Sequence, residues 1–100
     1  MRVVCLDSKH YVQTIHTVYQ GNLHATIVRP SELFREPIRR TTSSIILVHN
    51  HPSGDPTPSQ EDLQLTRQVI AVGELLDIPL VDHLVIGRGS WVSLHQLGFV

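Results

Sequence analysis

The sequence predicts an α/β fold, a single domain in which a mixed β-sheet is flanked by helices. Three observations predict it. A run rich in Val, Thr, Ile and Tyr opens the chain and one rich in Leu, Val and Ile closes it, one continuous apolar run of strand length lies at its centre, and a capped helical stretch follows that run. One hundred residues, 41% of them apolar and 17% charged, suffice for one hydrophobic core and point away from a disordered or membrane chain.

Val3 to Asp7 reads as a short strand, Ser8-Lys9-His10 as a turn, and Tyr11 to Tyr19 as the second arm of a hairpin. Side chains alternate along a strand, so His16 shares a face with Val12 and Val18, which places an imidazole on an inward-facing side. Gly21-Asn22 breaks the run, and Leu23 to Val28 resumes as a third strand. Arg29-Pro30-Ser31-Glu32 is a helix entry with Ser31 as N-cap and Leu33, Phe34 and Ile38 as its apolar stripe. Pro37 deletes a backbone hydrogen bond and crowds the preceding turn, at about 3 kcal/mol in a helix interior, so this helix should be short, kinked or ended early.

Ser44 to Val48 has the pattern of a central strand. After a loop, Thr57 is the expected N-cap, Pro58 the first helical residue and Gln60 the partner in a capping box. Leu63, Thr66, Val69, Ile70, Gly73 and Leu76 recur at helical spacing, and the helix should end near Asp77 to Pro79. Leu80 to Ile86, Gly87-Arg88-Gly89 and Ser90 to Leu94 form a last hairpin.

Composition narrows the function classes. The net charge of −1 gives no broad basic field to hold a nucleic-acid backbone, so direct nucleic-acid binding by this domain is not expected. The short basic run from Arg35 to Arg40 carries Glu32 and Glu36 beside it and reads as a solvated helix face. No run approaches the roughly 20 apolar residues that span a bilayer. The beginning of the chain lacks the pattern of a signal peptide, and Cys5 is the only cysteine, so a cytoplasmic protein without membrane contact is expected. Oligomeric state cannot be read from these residues. Cys5 reads as a small buried hydrophobe and Trp91 as a core or interface residue.

Seven histidines in a hundred residues justify a search for a metal site. His10 and His95 lie in polar surroundings and read as surface residues. His49 and His51 are two apart at a strand end, so both imidazoles project to one side. Ser59 and Asp62 are three apart on the first turn of a helix, hence on one face. A bare His-x-His is a weak signal. With the Pro-Ser-Gly-Asp-Pro turn and the capped helix behind it, the stretch outlines a cradle in which His49, His51 and Asp62 converge. Three protein ligands leave one position open on a tetrahedral zinc, the mark of a catalytic site, and imidazole with carboxylate favours one zinc ion. Ser59 is placed to donate to a polarised substrate oxygen. Asp55 has a structural role in the turn, and Asp82-His83 is suited to orienting a ligand imidazole.

His49-x-His51, seven intervening residues and Ser59-x-x-Asp62 match the pattern of the JAMM (MPN+) metalloprotease superfamily. The wording from His49 to Ser59, with Val81-Asp82-His83-Leu84-Val85-Ile86-Gly87 later, resembles the RadC family over essentially the whole chain. The resemblance implies a cytidine-deaminase-like fold, a zinc held by His49, His51 and Asp62, Ser59 on the oxyanion side, and hydrolysis of an amide or isopeptide bond in a peptide or protein substrate. It also implies a DNA-repair label and a longer protein of which residues 1–100 form the C-terminal domain.

The sequence departs from that pattern at one position. The family places a Glu, the general base, five residues before a Gly, and five residues before Gly21 stands His16, with no carboxylate from Ser8 to Ser31. His16 can take the proton itself, fill the open metal position as a fourth ligand, or be a core histidine without a role. Loss or severe weakening of hydrolysis ranks above a working His base. The competing expectation is a catalytically inactive metal-binding or scaffold domain in a repair or recombination assembly.

Overall fold

The computed structural model describes residues 1–21 and 27–100. Its elements are β1 (Arg2–Leu6), β2 (Val12–Thr17), α1 (Pro30–Leu33), α2 (Arg35–Arg39), β3 (Ser44–Asn50), α3 (Gln60–Leu76), β4 (Leu80–Ile86) and β5 (Trp91–Ser93). The third strand expected over Leu23 to Val28 lies for the most part outside the described residues. Its last residue, Val28, belongs to no strand and is buried in the core.

The strands form one sheet in the order β2-β1-β3-β4-β5. β3 and β4 run parallel, and the other neighbours are antiparallel, so the sheet is mixed. A parallel pair cannot be joined by a tight turn, and α3 provides the crossover between β3 and β4. Loops at the carboxyl end of such a strand are where α/β sheets build their sites, and here that loop is 51–59.

Alternation sorts the sheet into two faces. Val3, Cys5, Ile45 and Leu47 are fully buried and form one cluster with Leu33 and Phe34 of the α1–α2 region and Leu65 and Val69 of α3. Val4, Ile46, Val48 and Leu84 on the other face are only half-buried. His49 has the parity of Ile45 and Leu47, so the strand itself carries it to the helix-covered side.

Two helix starts differ from expectation. The first helical region is capped by Arg29, not Ser31, with Pro30 at its first position. It then splits at Phe34, because Pro37 has no N–H to bond Leu33, and α2 begins afresh with Pro37 in its first turn, where no donor is needed. The cap of α3 is Ser59, not Thr57. At the other end of α3, Asp77 adopts a left-handed conformation, and the Ile78 N–H bonds the Gly73 carbonyl. No helix among the described residues is long and apolar enough to cross a membrane.

Candidate metal centre

Ser59 and Asp62 start α3 with a capping box. The Ser59 hydroxyl accepts from the Asp62 N–H at 3.1 Å, and Asp62 Oδ2 accepts from the Ser59 N–H at 2.9 Å. Thr57 instead closes a turn on Asp55, whose Oδ1 accepts from the Thr57 N–H at 3.0 Å and its hydroxyl at 2.7 Å, which is the structural role expected of Asp55.

Asp62 is fully buried and His49 nearly so. An ionised carboxylate in that position needs partners. Burial pushes the Asp62 carboxyl up, but His49, the Ser59 N–H and the Ser59 hydroxyl outweigh it and hold the group well below the ordinary carboxylate range. His49 Nδ1 lies 3.2 Å from Asp62 Oδ1, and His51 Nε2 lies 2.8 Å from Asp62 Oδ2. The ligand atoms of His49, His51 and Asp62 all fall within 4.8 Å of one another. The two imidazoles meet edge to face, with centroids 5.1 Å apart.

The hydrogen bonds decide which lone pairs face inward. His51 Nδ1 lies 2.9 Å from the Asp55 carbonyl, which only accepts, so Nδ1 carries a proton and the neutral ring turns its Nε2 lone pair toward Asp62. Two acceptors facing each other at 2.8 Å require a proton or a cation. His49 Nδ1 and Asp62 Oδ1 are buried and have no hydrogen-bond partner among the described residues. Unsatisfied buried atoms of this kind call for an explanation. Two imidazole nitrogens and a carboxylate converge there, with His49 Nδ1 and Asp62 Oδ1 unsatisfied, and that donor set suits a borderline transition metal.

Behind the triad stands His83, fully buried and stacked on His49 with ring centroids 6.4 Å apart and planes at 28°. The Thr66 hydroxyl donates to the Asp62 carbonyl at 2.8 Å, so its oxygen accepts from His83 Nδ1–H, also at 2.8 Å. Burial above all pushes the His83 imidazole down to about 4. Asp82, by contrast, turns away from the triad. It accepts from the Ser93 hydroxyl at 2.6 Å and the His95 N–H at 3.0 Å, tying β4 to the end of the chain.

His16 sits on β2, the edge strand, paired with Val3 and exposed. The triad brought together among the described residues does not include it. Thr66 was legible in sequence only as a member of the helix stripe. Its position one turn after Asp62 is the signal that could have marked it as a support for that ligand. Cys5 is buried, His10, His95 and Trp91 are exposed.

The sequence model of the RadC-like JAB domain matches residues 1–99. The chain belongs to the RadC-like JAB domain family. A UPF0758 protein of Roseiflexus sp. (strain RS-1) is 59% identical over 98% of this chain, which covers 42% of that protein. A UPF0758 protein of Chloroflexus aggregans is 56% identical over 98% of this chain and 43% of its own length. One from Bacillus pumilus is 48% identical over 97% of this chain and 44% of its own length. The chain therefore spans less than half the length of these curated relatives. The mixed sheet with its helices and the His-His-Asp cluster agree with that family.

Proposed function

We propose that this domain binds one zinc ion through His49, His51 and Asp62 and belongs to a hydrolase acting on amide or isopeptide bonds of a peptide or protein substrate. The observation that carries the reading is the 2.9 Å contact of His51 Nδ1 with the Asp55 carbonyl, from which the tautomer of His51 follows. With Nδ1–H committed to the Asp55 carbonyl, its Nε2 lone pair, His49 Nδ1 and the Asp62 carboxylate all face one point. When bound there, zinc supplies a Lewis acid that polarises a carbonyl and lowers the pKa of water to about 7. Ser59 spends an oxygen lone pair on the Asp62 N–H and keeps its O–H proton, which it donates to the substrate oxygen as charge develops. Asp62 is held by the helix backbone, so it stays in place through turnover. His83 and Thr66 exclude water behind the ligands and fix the Asp62 backbone.

The weak point of this hydrolase is its base. His16 stands where the family pattern has Glu, and a positioned base contributes typically about 10²–10⁴-fold. The second reading, a metal-binding domain without turnover in a repair or recombination assembly, is favoured by that substitution and by the exposed edge position of His16. The two readings part on one experiment. Zinc-loaded parent and His16→Glu are compared on amide and isopeptide substrates. Turnover that rises on the order of 10²-fold or more in His16→Glu supports the hydrolase with a missing base. Metal occupancy without any gain supports the silent domain.

A further inference from the structure

The motif that ends in Gly87 has a use beyond the strand that carries it. Loop 51–59 is pinned at three points to the end of β4 and the turn that follows it. The His51 N–H donates to the Ile86 carbonyl at 2.9 Å, the Arg88 N–H donates to the Gly54 carbonyl at 2.7 Å, and Gly87 lies directly under the loop. A Cβ on Gly87 would collide with the Gly54 carbonyl oxygen and sit 2.7 Å from Pro56 Cδ and 2.8 Å from Pro56 N. Most of these are backbone atoms, so the loop itself would have to move. Glycine is required here for close approach rather than for a special φ.

The contact leads to the metal ligands through one peptide. Gly54 receives the Arg88 N–H, and the next carbonyl along, that of Asp55, receives His51 Nδ1–H. Within the loop, the Gly54 N–H returns to the His51 carbonyl at 3.0 Å, so Gly54 is held from both sides. The turn therefore fixes the carbonyl that decides which nitrogen of His51 is protonated and which carries the free lone pair. A partner on the second ring nitrogen is the usual means of orienting a ligand imidazole, and its loss typically lowers metal affinity about 10–100-fold.

We propose that the Gly87-Arg88 turn is a positioning element for the metal centre, which sets zinc affinity by holding the Gly54–Asp55 backbone and, through it, the Nδ1–H tautomer of His51. This rests on the zinc-binding reading above. The test uses Gly87→Ala and, because that variant can lose its fold, Arg88→Pro. Proline removes the donor to Gly54 and puts its ring Cδ where that hydrogen pointed, so it displaces the Gly54 carbonyl from a different atom, at a residue whose φ is not in the left-handed region. Gly89→Ala is the control. Gly89 has φ +71° and nothing within 4 Å of its added Cβ, so that variant strains the same turn without touching the loop.

Zinc affinity is measured by competition with a chelator, and the His51 tautomer by ring-nitrogen NMR of the metal-free proteins, with folding checked by circular dichroism. The expected result is at least about a tenfold loss of affinity in Gly87→Ala and Arg88→Pro, with a mixed or inverted His51 tautomer. Gly89→Ala should stay near the parent in both. Parent-like affinity in Arg88→Pro, an equal loss in Gly89→Ala, or an unchanged tautomer in the folded variants overturns the proposal. A parent that binds no zinc sinks the zinc reading instead, and the tautomer comparison still decides whether the turn controls His51.

Discussion

Ser59 and Asp62 hold each other through two reciprocal hydrogen bonds, 3.1 Å from the Asp62 N–H to the Ser59 hydroxyl and 2.9 Å from the Ser59 N–H to Asp62 Oδ2. The same pair thus starts the helix and aims the Asp62 carboxylate at the His49-His51 pair. Ser59→Ala loses one bond of the box and should cost about 1 kcal/mol in urea unfolding. The Ser59 backbone N–H remains to hold the carboxylate, so zinc binding should survive. Loss of the ion in a folded Ser59→Ala would show that the hydroxyl does more than cap.

Gly73→Ala tests the end of α3. In an exposed helix that change stabilises by about 1 kcal/mol. Here the new Cβ would lie 2.5 Å from the Ile78 carbonyl oxygen, at the turn where the Ile78 N–H bonds the Gly73 carbonyl. Overpacking of this kind costs about 1–3 kcal/mol, so net destabilisation is expected in equilibrium unfolding. A more stable Gly73→Ala contradicts the geometry of this helix end.

Asp77 holds a left-handed conformation, φ 59°, at the helix terminus. Asp77→Gly should stabilise the domain by about 0.5 kcal/mol, since glycine adopts that region without the Cβ penalty. A thermal unfolding midpoint that falls would argue against it.

Glu36 receives Arg39 at 2.8 and 3.2 Å and Arg40 at 2.7 Å. Arg39 first, then Arg40, hold its carboxyl at about 2, below the ordinary 4.5. A carboxyl depressed in the folded state stabilises above its unfolded pKa and loses that contribution as pH falls through the folded value. The thermal midpoint of the parent should therefore exceed that of Glu36→Gln above pH 4.5, and the gap should close toward pH 2. A gap that stays constant over that range contradicts the pairing.

The His49-His51-Asp62 cluster was legible in sequence because its residues lie on one strand-loop-helix unit, where strand parity places His49 and the first helical turn places Asp62. The choice between Thr57 and Ser59 as cap was not, because both are good cap residues, and the reciprocal bond of Asp62 decides it. Pro37 announced a broken helix, and the break at Phe34 follows from the bond it cannot make. The support of His49 and Asp62 by His83 and Thr66 joins α3 to β4, a contact that local patterns do not encode. His16 shows the same limit. Pairing with Val3 puts it on the core side of the sheet, but its exposure depends on β2 being an edge strand, which only the strand order determines.

Whether His49, His51 and Asp62 form a metal centre is decided by metal content. The purified parent and His49→Ala, each loaded with zinc and dialysed, are analysed for bound metal by mass spectrometry, with circular dichroism confirming the fold. One zinc per chain is expected in the parent and none retained by His49→Ala. A parent without zinc, or a His49→Ala that keeps a full equivalent, would contradict it.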